Sequence, residues 1–486
     1  EPSMSRVIDS LIDDPRLAAG KGRLRPRTFW QVSRFFMPVM GRALHAIARP
    51  EHAQAEFERN IATSLDELTL PKGADRFESL GNIIRFMRDQ LPGPFRYLFP
   101  RFIPLFGPSV LSLGLLTRFA GDKPELALQV TRALPNNVTT EMDLGLWNIA
   151  AAILSDDDSA AHFNLENAMT LANEYLEKAL PEIAQTSIKS FMDRYGMRGI
   201  AEIDLGQPRW QEDPTPVMQT LKSYLAIDPA RSPDVVFDRG AEAARSAISA
   251  LAGESRRRPL GWARARLVRF AARRVRSLMG VRESPKFFAI RVMGILRQAL
   301  LETGKEFADA ETISRPDDLF FLEISELESL ARREQQDWNA IIRSRRASFD
   351  RELRRKQVPR VLVSDGRAFY EGVRSRSDDE NTIVGSPVSP GVVEGRVRVM
   401  LDPRTAGLES GEILVCPGTD PAWTPLFLAA GGLITEVGGM MTHGSVVARE
   451  YGIPAVVGVD QATTRLKTGQ QIRLDGTVGT ISLINS

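Results

Sequence analysis

Near residue 375 the hydrophobic period of this chain changes, so one kind of secondary structure cannot serve both parts. Before that point apolar residues return at three- and four-residue spacing among charges, as in EHAQAEFERNIATSLDEL from Glu51, the pattern of helices that bury one face. Beyond it, RVRVM, EILVC, GLIT, AVVGV, QIRL and TISLI are short β-rich runs separated by Gly, Asp and Pro. PAWTPLFLAA and HGSVVAREYG are the two helical candidates among them. Between the two textures lies RSRSDDENTIVGSPVSPGVVEG, where Gly, Ser and Pro replace periodic apolar residues, the composition of a flexible connection. The expectation is a multidomain chain, with a largely α-helical region over 1–376, a linker at 377–390 and a small α/β domain over 391–486. Within the helical part, SDDDS at Ser155 reads as a solvated loop or a helix start.

Composition limits the function classes. With 486 residues, 43% hydrophobic and 26% charged, the chain can bury sizeable cores. Lys plus Arg total 63 against 61 for Asp plus Glu, so the bulk charge of +2 does not attract nucleic acid or anionic membrane. The balance is uneven: from Ser377 onward there are 7 basic and 12 acidic residues, and the preceding region carries the positive excess. The single cysteine, Cys416, excludes an internal disulfide and a cysteine-based zinc cluster, and fits a reducing cytoplasm. FIPLFGPSVLSLGLLT, from Phe102, is interrupted by two prolines and is shorter than the roughly 20 residues of a bilayer crossing; it reads as a buried, kinked helix. The chain opens on EPSMSRVIDS without an initiator Met, as an excised piece of something longer would. No metal site is expected.

One of only four histidines lies in TEVGGMMTHGSVVAREYGIPAVVGV, between a glycine pair and a helix start. GLIT ends a strand, VGGMMT supplies a turn whose backbone can approach a ligand, and Thr442 is a fair N-cap for a helix opening at His443 and ending near Gly452. A helix start gathers unpaired N–H groups and positive potential, which attract an anion. The same field disfavours a second positive charge on the ring, leaving one ring nitrogen to act as a nucleophile. A phosphoryl group on that nitrogen would meet candidate donors on Gly438, Gly439 and Gly444, the hydroxyls of Thr442 and Ser445, and Arg449.

GGMMTHGSVVAREYGIPAVVG, with TDPAWTPLF upstream at Thr419, resembles the phosphohistidine segment of the phosphoenolpyruvate-utilising enzymes. The resemblance implies a swivelling domain in which His443 takes a phosphoryl group at an ATP-binding domain and delivers it elsewhere. A helical region followed by a terminal histidine domain is similar to the rifampicin phosphotransferase branch. So are FMDRYGMRGIAEIDLGQPRWQEDP from Phe191, RESPKFFAIRVMGILRQALLETG from Arg282 and DDLFFLEISEL from Asp317. This implies a dikinase-type phosphotransferase that uses ATP and water and phosphorylates a hydroxyl of a small apolar molecule, a rifamycin-type antibiotic. Relatives often carry a histidine where this chain has Met197, so the base toward the acceptor is open. Arg282 and Lys286 match basic residues thought to meet phosphate, and Arg198 and Glu202, beside Met197, complete the candidate phosphate or acceptor contacts. Arg282 could instead form a surface pair with Glu283 or another acid.

The sequence contains no glycine-rich phosphate loop followed by Lys and no acidic cluster spaced for magnesium. ATP and Mg2+ are therefore expected to enter through a missing or separate ATP-binding domain, upstream or in trans, with none bound by this chain alone. The arginine-rich RRRPLGWARARLVRFAARRVR, from Arg256, carries apolar residues at Trp262, Leu267, Phe270 and Val275 that read as a buried stripe; its charged face is expected to be solvated or to dock the acidic domain rather than nucleic acid. Two other functions stay open: a biosynthetic ATP-dependent ligase with a phosphohistidine domain, and a non-enzymatic phosphocarrier.

Overall fold

The computed structural model describes residues 26–90, 92–227, 229, 232–354, 361–369, 382–403, 408–419, 423–439 and 442–484. The first part is built from helices α1 (Pro26–Ala48), α2 (Pro50–Asp66), α3 (Arg76–Arg85), α4 (Pro92–Ala120), α5 (Pro124–Gln129), α6 (Val138–Leu154), α7 (Asp157–Leu165), α8 (Ala168–Glu177), α9 (Glu182–Tyr195), α10 (Thr215–Leu225), α11 (Pro233–Arg256), α12 (Gly261–Leu278), α13 (Ser284–Asp309), α14 (Ile324–Ala331) and α15 (Trp338–Glu352). Their starts follow from sequence: Asp75, Asn137, Asp156 and Asn167 each turn a side-chain oxygen onto first-turn N–H groups. The acidic run at Ser155 is thus a helix start. Three apolar clusters hold the helices. Phe57, Leu80, Phe288 and Phe307 centre one, Met142, Leu146, Phe163 and Leu221 the second, and Leu116, Leu251, Val268 and Val275 the third.

Two expectations in this region are corrected. The segment expected as a short, buried helix is part of α4, 29 residues long, with Pro100, Pro104 and Pro108 inside it. Its portion Leu98–Ala120 is long and apolar enough to cross a membrane by length and composition, and little of it is buried. In α12 only Val275 of the expected stripe is buried: Trp262 is 73% exposed, and Leu267 and Phe270 are exposed, whereas Ala265, Val268, Ala271 and Ala272 pack inward with Val275 against α4 and α11. Small residues permit a close helix approach that Trp and Phe would prevent. Of the α12 arginines, Arg266 and Arg269 are exposed, and three others bond within the helical part. Arg274 donates to the Ile47 carbonyl, Arg276 to the Val130, Arg132 and Ala133 carbonyls, and Arg273 pairs with Glu51.

After a two-stranded ribbon, β1 (Val361–Leu362) and β2 (Ala368–Phe369), comes an eight-stranded mixed sheet. Its strands are β3 (Thr382–Val384), β4 (Ser386–Ser389), β5 (Val392–Val399), β6 (Ile413–Cys416), β7 (Gly432–Thr435), β8 (Ala455–Val457), β9 (Gln471–Asp475) and β10 (Thr480–Leu483), in the order β3-β10-β9-β5-β6-β7-β8-β4. Helices α16 (Thr424–Ala429), α17 (His443–Tyr451) and α18 (Ala462–Arg465) connect them. The parallel run β5 to β8 is the centre. β6, β7 and β8 are buried on both faces, which is why they read as unbroken apolar runs. The expected linker 377–390 is corrected over its described part: 382–384 and 386–389 are strands at the two ends of the sheet, separated only by Gly385. A Cβ at Gly385 would stand 2.6 Å from the Val456 and Val459 side chains, so glycine permits the crossing. Residues 377–381 lie outside the described residues.

Candidate functional site

The segment around His443 begins where β7 leaves the sheet. Glu436 N–H donates to the Cys416 carbonyl and Val437 N–H to the Pro417 carbonyl, while the Glu436 carboxylate accepts from the Thr463 N–H and hydroxyl. The turn is therefore anchored on both sides before it reaches Gly438 and Gly439. A Cβ at Gly438 would press on Val457 and Thr435, whereas Gly439 faces open space. Met440 and Met441 lie outside the described residues. Thr442 then takes extended backbone angles, φ −72° and ψ 158°, and His443 opens α17, which closes at Gly452 in the left-handed region.

Thr442 holds the N-cap position, but its hydroxyl does not cap the helix. It donates to the Gly439 carbonyl at 2.8 Å and meets the Ser445 hydroxyl at 2.9 Å; Ser445 Oγ donates to the same carbonyl at 2.8 Å. Ser445 is fully buried. The two hydroxyls expected to support an anion thus brace the glycine turn, and the first-turn backbone of α17 is left without a side-chain cap among the described residues. The helix start keeps its positive potential for another partner. Gly444 packs so closely on Thr419 that a Cβ there would lie 2.2 Å from Thr419 Oγ1. Thr419 belongs to the quoted TDPAWTPLF run but was not among the expected site residues; only the three-dimensional approach reveals it. Arg449 departs from expectation: it is half-buried and donates to the Val388 carbonyl at 3.1 Å, tying α17 to β4.

The second group of expected residues is partly assembled. Arg198 and Glu202 are each 2% exposed; Glu202 Oε1 lies 3.1 Å from Lys286 Nζ and 3.5 Å from Arg198 Nη1. The Arg198 guanidinium also lies over the Phe287 ring, 5.1 Å from its centroid. Both Glu202 oxygens and Arg198 Nε and Nη1 are buried without well-aligned hydrogen bonds, so this is a tight charge cluster with unused polar capacity. Arg282 is not part of it. It sits in the 3-10 turn Gly280–Glu283, before α13 begins, and pairs with Glu283. Met197 meets Gly294 of α13, where a Cβ would come within 2.3 Å of its sulfur. Among the described residues no hydrogen bond or ion pair joins this cluster to Thr442, Gly444 or Ser445.

The two parts of the chain meet beside Ile200. A small cavity at the seam is lined by Ile200, Pro216, Gln219, Thr220 and Ser223 on the helical side and by Pro403 and Leu426 on the other. Ile200 lies between Arg198 and Glu202 in sequence. Farther along α17, the Tyr451 hydroxyl donates to one oxygen of Asp143 and the Tyr224 hydroxyl to the other. Burial pushes the Asp143 carboxyl up to about 6, against the opposing pull of the two tyrosine donors. Elsewhere, His45, His52 and Glu56 place ligand-type atoms within 4.8 Å of one another.

Residues 101–283 match the rifampicin phosphotransferase fourth domain, and residues 408–479 match the mobile domain of the PEP-utilising enzymes. The chain is 38% identical over 371 residues to a rifampicin phosphotransferase of Streptomyces sviceus, covering 76% of this chain and 42% of that protein. It is 34% identical over 369 residues to a rifampicin phosphotransferase of Bacillus cereus, with the same shares of 76% and 42%. A prodigiosin synthesizing transferase of Serratia marcescens is 26% identical over 361 residues, 72% of this chain and 39% of that protein. The chain thus spans less than half the length of these relatives. With both domain matches falling on the helical region and the sheet described above, this chain belongs to the PEP-utilising enzymes, in their rifampicin phosphotransferase-like branch.

Proposed function

We propose that this chain is the acceptor-binding and phosphoryl-carrying portion of a rifampicin phosphotransferase-like dikinase. In this reading the C-terminal α/β domain swivels, His443 carries the phosphoryl group, and an ATP-binding domain upstream or in trans supplies it from ATP with Mg2+, releasing AMP and phosphate. At the acceptor, the P–N bond breaks as a bond from phosphorus to the acceptor hydroxyl oxygen forms, and the freed imidazole nitrogen can take the hydroxyl proton. Lys286 and Arg198 would face the charge that spreads over the transferring group. The acceptor is a small apolar molecule of rifamycin type. The observation that carries the reading is a helix opening at His443 with an uncapped first turn, in the segment that matches the mobile domain. The charge cluster of Arg198, Glu202 and Lys286, whose segment reaches the seam at Ile200, adds to it.

The test mixes the chain with its ATP-binding partner, Mg2+ and ATP labelled at the β or γ position. An acid-labile label that disappears in His443→Ala is expected; no label from either position rejects the dikinase scheme. Adding a rifamycin should discharge the label. Similarity to the prodigiosin synthesizing transferase supports a second reading, a biosynthetic ligase. In that case rifamycin leaves the label in place and a joined product forms from two smaller substrates.

A further inference from the structure

Asp143 lies on α6, wholly buried, and its carboxylate is claimed on both sides: Tyr224 of α10 from its own domain and Tyr451 of α17 from the other. Tyr451 ends the same short helix that His443 begins, so whatever holds Tyr451 also fixes the direction of the His443 end. Two further contacts flank it. Val236 of α11 packs against the apolar cluster of the α/β domain, and Gly452 abuts the Arg132 guanidinium so closely that a Cβ would lie 2.3 Å from it. A carboxylate shared between two hydroxyls is a contact that water can replace on either side, unlike an interlocked apolar core.

We propose that Asp143 and Tyr451 are positioning residues: they form a polar latch that docks the α/β domain on the acceptor-binding region and aims the start of α17. Tyr224 holds Asp143 ready on the fixed side. The latch itself rests only on the observed contacts; its use in phosphoryl transfer rests on the function proposed above.

Tyr451→Phe removes the hydroxyl and keeps the ring. Small-angle X-ray scattering without ATP or acceptor should then show a larger maximum dimension, with the ratio of docked to undocked molecules lowered on the order of tenfold. Tyr224→Phe should leave the domains docked. In the transfer assay, Tyr451→Phe should slow discharge of label to the acceptor while leaving acceptor KM and the labelling of His443 unchanged. Scattering of Tyr451→Phe that matches the unaltered chain overturns the latch, as does equal separation in Tyr224→Phe. An altered scattering profile with no label in any chain keeps the latch and rejects the phosphohistidine reading instead. Circular dichroism melting separates undocking from unfolding.

A different observation supports a second site. α1 ends at Ala48 and α2 starts at Pro50, and the sharp turn at Arg49 brings His45 Nε2 to 3.3 Å from His52 Nδ1, the rings edge to face. Two nitrogens bound to one tetrahedral zinc ion at about 2.05 Å are about 3.3 Å apart. Glu56, one turn after His52, brings a third ligand oxygen within 4.8 Å, near enough for its exposed side chain to close the site by rotation. We infer that His45, His52 and Glu56 take a divalent transition metal such as Zn2+, which would staple α1 to α2. Titration with Co2+ followed by visible absorption should show one tetrahedral site that His52→Ala loses and His443→Ala keeps. Octahedral spectra, or equal binding by His52→Ala, overturn it.

Discussion

A methyl group placed on Gly444 would have to occupy the space of the Thr419 hydroxyl, 2.2 Å away. Gly444→Ala is therefore expected to displace the first turn of α17 and to lower labelling of His443 by about tenfold or more. Adding Thr419→Ala to it should restore part of the loss; equal labelling in Gly444→Ala would show that the turn tolerates the shift. In the helical part, Glu202→Gln leaves Arg198 buried without its counter-charge. A loss of about 3 kcal/mol in urea unfolding is expected, the usual cost of breaking a buried pair. These residues show how far sequence alone reached. Glycines beside a helix start are legible because their chemistry is local. The partner of Arg449 and the role of Thr419 are not, since each depends on a chain segment distant in sequence, and the turn of the Thr442 and Ser445 hydroxyls onto the Gly439 carbonyl, though only three and six residues away, depends on the folded shape of the loop.

At the level of helices and strands, periodicity served well where an element has a strong one. The runs from RVRVM to TISLI became β5 to β10, and HGSVVAREYG became α17 with its closing glycine. β3 and β4 were hidden because SPVS and TIV are too short, and too rich in Pro and Ser, to show alternation. In α12 the largest apolar residues, Trp262, Leu267 and Phe270, face outward, while alanines and the valines Val268 and Val275 make the contact. Ala271→Leu should therefore overfill the space between α12 and its neighbours. A loss of about 1–3 kcal/mol is expected in thermal or urea unfolding, whereas Leu267→Ala, at an exposed position, should change stability little.

For the whole molecule, the described seam contains a buried carboxylate held between two tyrosines, one from each part of the chain. This predicts a pH response. The docked Asp143 carboxyl sits at about 6, above its ordinary 3.8, so the docked form holds a proton more readily than a form in which that group meets water. Between these values docking strengthens as pH falls, by at most about tenfold per unit, and it is weaker above 6. Tyr224 and Tyr451 are the titratable groups that face it. Scattering measured from pH 7 to 4.5 should show the compact fraction rising, and Asp143→Asn should flatten the response. The joining of β3 to β4 through Gly385 has its own consequence. The rims of the eight-stranded sheet are only three and four residues long, and one chain segment supplies both. If the domain swivels as proposed, it then offers little backbone for a stray strand to zip onto while undocked, so such travel need not invite aggregation.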